Sequence, residues 1–248
     1  MHIPCTVQRL GLYLLILQIF TTLTVANVEK VIFVAPDTQE FPSDASLDNL
    51  LLERLTLAKA SVRTRLNATF PTDEQPRGTE TWMLLEDLTP GQRYEVRICW
   101  LATQPTSFWL YTHTSQSTFE SPELISALTL YSNTRHQSAT DETLEEAQSR
   151  VDLRQRTSFP TTFLFLQIFA AADYFSLDKS LMEVVPPVHV DIILDPYLLN
   201  IFPQSLLPTA GYIIIIAVLG WFVSGWIYTS YILPYANAGI ETTPKKSD

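Results

Sequence analysis

Between Ala210 and Leu233 lie 24 residues without a charge, and this stretch restricts the chain more than any other. As a helix rising 1.5 Å per residue it is about 36 Å long, enough to cross a hydrocarbon core of about 30 Å with modest tilt. Pro208 and Pro234 bracket it, as prolines punctuate helices. Tyr212, Trp226, Tyr228, Tyr231 and Tyr235 supply interfacial aromatics, while Trp221 lies too deep for that role. No ionisable group other than tyrosine falls inside the span, so nothing supports an ion or proton path. Ala217, Gly220 and Ser224 recur at i, i+3 and i+7. Such a stripe of small side chains lets a second helix approach closely in lipid, where packing drives association. It predicts docking against a multi-pass membrane partner.

The other end of the chain reads as a signal peptide, residues 1–26. Arg9 precedes the apolar run Leu10 to Phe20, broken only by Gln18, and Thr24 and Ala26 supply small residues for cleavage after Ala26. A cleaved signal and one stop-transfer helix predict a single-pass type I protein. Residues 27–209 are then luminal, 210–233 cross the membrane, and 234–248 form a cytosolic tail. The luminal part carries 13 Lys+Arg against 24 Asp+Glu, a net −11. That balance argues against nucleic acid, which demands a basic patch. Cleavage removes Cys5 and leaves Cys99, so no intramolecular disulfide is expected.

The last four residues, Lys245-Lys246-Ser247-Asp248, resemble the dilysine (KKxx) retrieval signal of type I endoplasmic reticulum (ER) membrane proteins. The resemblance implies recognition of Lys245 and Lys246 by a vesicle coat and residence in the ER membrane. Asn67-Ala68-Thr69 is a glycosylation sequon on the polar face of a predicted strand, in the luminal segment.

Within the luminal segment the pattern predicts mainly strands. Val31 to Val34 reads as a first strand ended by Pro36. Leu47, Leu50, Leu51 and Leu55 have the spacing of an amphipathic helix, with Ser43 or Ser46 as cap. From Ser61 to Phe70 apolar and polar residues alternate, with Val62, Thr64, Leu66, Ala68 and Phe70 on one face. Glu80 to Leu88 is a further strand candidate. Pro90-Gly91 makes a turn, after which Tyr94, Val96, Ile98 and Trp100 alternate with Arg93, Glu95, Arg97 and Cys99. Leu88, Gly91 and Tyr94 here resemble the tyrosine corner of fibronectin type III domains. The resemblance implies a β-sandwich in which the Tyr94 ring packs in the core and its hydroxyl caps upstream backbone. Only about ten residues separate the strands at Phe70 and Glu80, which leaves no room for strands C and C′. A variant fibronectin III/immunoglobulin-like sandwich with minor helices is therefore expected.

Phe108 to Thr112 continues as a strand and Thr114 to Pro122 as a polar link. Glu123 to Tyr131 fits either strand or helix. Residues 138–156 form an exposed charged insertion. Phe163 to Ala172, apolar except for Gln167, is either a strand covered on both faces or a buried helix. Val188, Val190, Ile192 and Leu194 mark a last strand, ended by Asp195-Pro196-Tyr197. The residues after Pro160 either complete the first sandwich or form a second small domain.

A constellation for catalysis is missing from the sequence. His113, His136 and His189 do not stand at metal-ligand spacing with one another or with Cys99. Asp191 and Asp195 are too far apart along a strand to share a metal, and Glu145-Glu146 fits a solvated helix face. There is no nucleophile elbow, Walker loop or dinucleotide fingerprint. Arg93 and Arg97 share a face with Cys99 and would lower its pKa, although a covered structural thiol fits its strand. No catalytic, cofactor or metal residue is therefore expected, and the chain is read as a non-enzyme.

The plan of signal, luminal sandwich, single helix and ER tail resembles accessory subunits of glycolipid-anchor (GPI) mannosyltransferases and luminal subunits of the ER membrane protein insertion complex. It implies a non-catalytic accessory or stabilising subunit of an ER membrane complex. Cargo receptors of the p24 type share the plan, but this chain lacks their cysteine pair and a heptad run before the membrane. An ER-luminal enzyme is a third reading.

Overall fold

The computed structural model describes residues 27–38, 47–140, 145, 149 and 162–234. The expected signal peptide, Ser43 and Ser46, most of the insertion at 138–156, and Lys245 and Lys246 lie outside the described residues. The chain divides into two units, Met1–Leu194 and Asp195–Asp248.

The first unit is a β-sandwich. Its strands are β1 (Val28–Val34), β2 (Glu53–Leu55), β3 (Ser61–Leu66), β4 (Thr79–Leu85), β5 (Arg93–Trp100), β6 (Thr106–His113) and β7 (Leu164–Ala172), with β8 (Val188–Leu198) running on into the second unit. One sheet has the order β1-β5-β8-β3 and the other β2-β4-β7-β6. The two late strands β7 and β8 thus lie inside the sheets, beside strands from the first half of the chain.

Alternation explains the inner faces. Val62 and Leu66 of β3, Tyr94, Val96 and Ile98 of β5, and Val188, Val190, Ile192 and Leu194 of β8 are all buried. They form one core with Met83 and Leu85 of β4, Phe108 and Leu110 of β6, and Leu166 and Ile168 of β7. Each such side chain contributes roughly 1.5–3 kcal/mol on full burial. The partners in sequence point outward, as Arg63, Arg65 and His189 do.

The run around β7 is a strand, and both its faces are covered. Leu164, Leu166, Ile168 and Ala170 enter the inner core, while Phe163 and Phe165 face a second cluster with Trp82, Leu84 and Leu128. That outer cluster is closed by helix α2 (Pro122–Ser138), which follows the short α1 (Ser115–Glu120); a further short helix, α3 (Lys179–Glu183), lies between β7 and β8. Leu124, Ala127, Leu128 and Tyr131 of α2 lie against the cluster at the i, i+3, i+4, i+7 spacing of one helix face. Ser121 caps α2 by accepting the Leu124 N–H at 3.4 Å, and Pro122 occupies its first turn.

Three expectations are corrected. The leucines at 47–55 do not form an amphipathic helix. Only a 3₁₀ turn, Leu47–Leu50, forms; Leu51 then takes a left-handed φ of 52° and the chain enters β2. Helix is lost because Leu47 and Leu52 belong to the outer cluster while Leu55 belongs to the inner core. The polar link after β6 contains α1, because Thr114 caps it by accepting the Ser117 N–H at 3.1 Å. Asp195-Pro196-Tyr197 does not end β8. Pro196 lies past the last rung with β3, Ser61 opposite Ile193, where a missing N–H breaks no bond of that ladder.

The turn before β5 is tightly closed. The Tyr94 hydroxyl accepts the Thr89 N–H at 2.9 Å and donates to Gln92 Oε1 at 3.0 Å, and the ring is fully buried. Gly91, at φ +71°, donates its N–H to the Ala35 carbonyl at 3.0 Å. The upstream backbone group met by the hydroxyl is thus a donor. Tyr94→Phe removes its acceptor, and the expected loss is about 1–3 kcal/mol. Thermal unfolding of the purified chain reads it; an unchanged midpoint would show that water replaces the hydroxyl without loss.

The second unit begins at the end of β8. A tight turn at Leu199 and Asn200 leads to β9 (Phe202–Pro203), then a 3₁₀ turn at Gln204–Leu206 and helix α4 (Leu207–Ile227). A π-helical turn, Tyr228–Ile232, continues it. Pro208 sits in the first turn of α4, where an N–H has no helical partner to lose. Within the apolar helical span Gln204–Ile232 the most apolar 18 residues have mean hydropathy 2.2, and none of them is buried.

Candidate functional site

Among the described residues, two of the three histidines are held in structural bonds. His113 Nε2 lies 2.9 Å from Gln167 Oε1, and Gln167 Nε2 donates to Glu80 Oε1 at 2.6 Å. Trp82 Nε1 donates to the same Glu80 oxygen at 2.7 Å. This network explains the one polar residue in the β7 run: Gln167 bridges two neighbouring strands beside the outer cluster. His136 Nε2 bonds the Asn49 carbonyl at 2.7 Å, tying α2 to the 3₁₀ turn. His189 is exposed on β8.

The acidic candidates are spoken for as well. Asp191 makes a two-pronged pair with Arg63, Oδ1 to Nε at 2.6 Å and Oδ2 to an amine at 2.8 Å. Hydrogen bonds from the Arg63 guanidinium hold the Asp191 carboxyl below its ordinary range. Asp195 accepts the Ser205 N–H at 3.1 Å and the Ser205 hydroxyl. Cys99 is half-buried, and partial burial pushes its thiol upward against the opposing pull of Arg97. Desolvation outweighs the cation, in the direction of a structural thiol rather than an activated one. Among the described residues no group of three His, Cys, Asp or Glu could hold a metal ion.

Surfaces remain as the candidate site. Ala217, Gly220 and Ser224 share a sector of α4, since steps of three and seven residues return nearly to the same side of a 3.6-residue helix. A Cβ added at Gly220 meets nothing within 4 Å, so this stripe is open to a neighbour. It is surrounded by exposed bulk, with Trp221 80%, Phe222 68% and Ile216 50% exposed. Apolar surface of that extent belongs in lipid or against another protein. Asn67 lies just past β3, exposed between buried Leu66 and Ala68. Leu88, Gly91 and Tyr94 lie at the turn before β5, with Leu88 and Tyr94 in the inner core. Lys245 and Lys246 lie outside the described residues.

One feature of the first unit escaped the sequence pattern. Arg54 reaches Asp48 and, at 2.8 Å, Glu86 Oε2. Both carboxylates are buried and Arg54 is mostly so. Three charges spread over 39 residues give no local signal; only the meeting of the 3₁₀ turn, β2 and the end of β4 assembles them.

A family model described as Pga1, GPI-Mannosyltransferase II co-activator, matches residues 17–157, more than half of the chain. No curated protein and no solved structure matches. The matched span covers β1 to β6, α1 and α2; β7 and β8 follow it in sequence yet complete the same two sheets.

Proposed function

We propose, from the premise that this chain belongs to the Pga1 family of GPI-mannosyltransferase II co-activators, a division of labour between its two units. The chain is an accessory, non-catalytic component of glycolipid-anchor mannosylation in the ER. The family membership carries this reading. His113, His136, Asp191 and Asp195 are held in the structural bonds described above. The sandwich serves as a luminal binding body, and α4 docks against the membrane part of the transferase.

The docking contact is the Ala217, Gly220, Ser224 stripe. Gly220→Leu keeps the helix apolar but adds a branched side chain at the point of closest approach. Loss of about 1 kcal/mol of packing in lipid corresponds to roughly a fivefold fall in association. Copurification of GPI-mannosyltransferase II from gently solubilised membranes is the measurement. A transferase yield equal to wild type would place the contact elsewhere than the stripe.

The signal peptide, the type I orientation and the dilysine tail belong to the same reading. Residues 1–26 are removed, the sandwich faces the lumen, and Lys245 and Lys246 return the protein through the vesicle coat. The exposed Asn67 then carries a glycan, expected as an endoglycosidase H shift that Asn67→Gln abolishes. Replacing Lys245 and Lys246 with Ser is expected to release the glycoprotein to later compartments. Absence of any shift would argue against luminal exposure of Asn67.

A further inference from the structure

From Pro196 to Ile240 the sequence holds no Asp, Glu, Lys, Arg or His. The uncharged stretch therefore begins before α4, at the hairpin of β8 and β9. That hairpin presents bare aliphatic side chains: Leu198 is 49%, Leu199 84% and Ile201 77% exposed. Its turn is closed by the Ile201 N–H donating to the Leu198 carbonyl at 3.1 Å. Leu199 has φ 52° and Asn200 φ 60°, the arrangement of a type I′ turn, which favours Asn-Gly. A branched aliphatic residue is a poor occupant of the first position, and in water its exposure brings no compensating gain.

The hairpin is also tied to the helix. Asp195, the last charged residue before the stretch, is buried and holds the Ser205 N–H and hydroxyl. Ser205 lies in the 3₁₀ turn that runs directly into α4. Leu206 and Leu207, 42% and 40% exposed, carry the apolar surface from hairpin to helix. Hairpin and helix thus belong to one compact unit that carries no charged side chain from Pro196 to Ile240.

We propose that the tip formed by Leu198, Leu199 and Ile201 is an interfacial anchor, seated in the headgroup–acyl boundary of the bilayer at the N-terminal end of α4. Its occupant is lipid because the tip continues the surface of the helix and no charge interrupts the two. Asn200, the polar member of the turn, faces the headgroups. The anchor fixes the depth at which α4 enters the membrane. This inference rests on the reading of α4 as a membrane span, and its test separates the two.

The full chain, with Cys5→Ser and Cys99→Ser, is given single labels of an environment-sensitive fluorophore at Leu199→Cys, Val218→Cys or Ser61→Cys. It is reconstituted alone into phosphatidylcholine vesicles with or without doxyl-labelled lipid. The expected result is blue-shifted emission at 199 that is quenched by lipid doxylated near the headgroup. Position 218 should be quenched by deeper doxyl, and position 61 by neither. Quenching at 218 with a water-like, unquenched 199 would overturn the anchor and leave the span standing. A blue shift at 199 without lipid quenching would mean protein covers the tip, and also overturns it. Water-like emission at both 199 and 218 overturns span and anchor together. Ile201→Cys repeats the reading without touching the strained position of the turn.

Discussion

Gly78→Ala is expected to destabilise the first unit by more than about 3 kcal/mol. Gly78 stands immediately before β4 with φ +71°, so any L side chain begins with the left-handed penalty of roughly 1–2 kcal/mol. Its Cβ would also lie 2.2 Å from the Ala170 carbonyl oxygen and 2.8 Å from Ala171 Cα. Those atoms are backbone of β7, which is bonded to β4 on one side and β6 on the other. They cannot swing aside as a side chain would; the β4–β7 register beginning at Thr79 and Ala170 has to yield. Gly91 provides the matched control. It has the same φ of +71°, yet a Cβ there meets nothing within 4 Å. Gly91→Ala should therefore lose only the conformational part, about 1–2 kcal/mol. Thermal unfolding of the two variants isolates the steric contribution, and equal midpoints would show that β7 gives way more easily than its position between two strands allows.

Arg54→Ala is the second large effect. Asp48 and Glu86 are buried at 0% and 4% side-chain exposure, and Arg54, at 17%, is the cation between them. Removing it takes one guanidinium from two buried carboxylates. Losing one partner of a buried ion pair typically costs 3–5 kcal/mol, and partial solvent access of Arg54 places the expectation near the lower end, about 3 kcal/mol. For a chain of this size that is a fall in midpoint of roughly 6–12 °C. Arg54→Lys should recover only part of it, since one ammonium cannot serve two carboxylates as a planar guanidinium does. Arg63 offers the contrast. Its pair with Asp191 is as close, but Arg63 is 81% exposed, so Arg63→Ala should leave the midpoint nearly unchanged. The sign of its pH dependence is fixed as well. Arg63 lowers the Asp191 carboxyl, so the stabilisation is present above the ordinary carboxylate range and disappears as pH falls through the lowered value. A loss for Arg54→Ala no larger than for Arg63→Ala would contradict the role given to burial.

Strands β3, β5 and β8 were legible because one face of each meets the core and the other meets solvent or polar neighbours, so period two is written in the residues. Strand β7 was ambiguous because both faces are covered, and nothing in Phe163 to Ala172 records that α2 lies outside it. Helix α2 was blurred in turn by exposed Leu130 and Ile125, 70% and 37%, which break its stripe. The leucines at 47–55 misled because their spacing is helical while their destinations are two different cores, separated at Leu51 by a left-handed residue. For the candidate site, the stripe on α4 and the sequon at Asn67 were visible as local patterns. The Arg54 cluster and the hairpin tip were not, because both depend on chain reversals that join segments with no common period.

As a family member, this chain supports GPI-mannosyltransferase II without performing the transfer. The direct measurement is mannosyl transfer to the glycolipid anchor by that transferase, in ER membranes prepared with and without this chain. The account predicts a large fall in transfer when the chain is absent and recovery when the wild-type chain is restored, with the transferase itself unaltered. Undiminished transfer in membranes lacking the chain would contradict it.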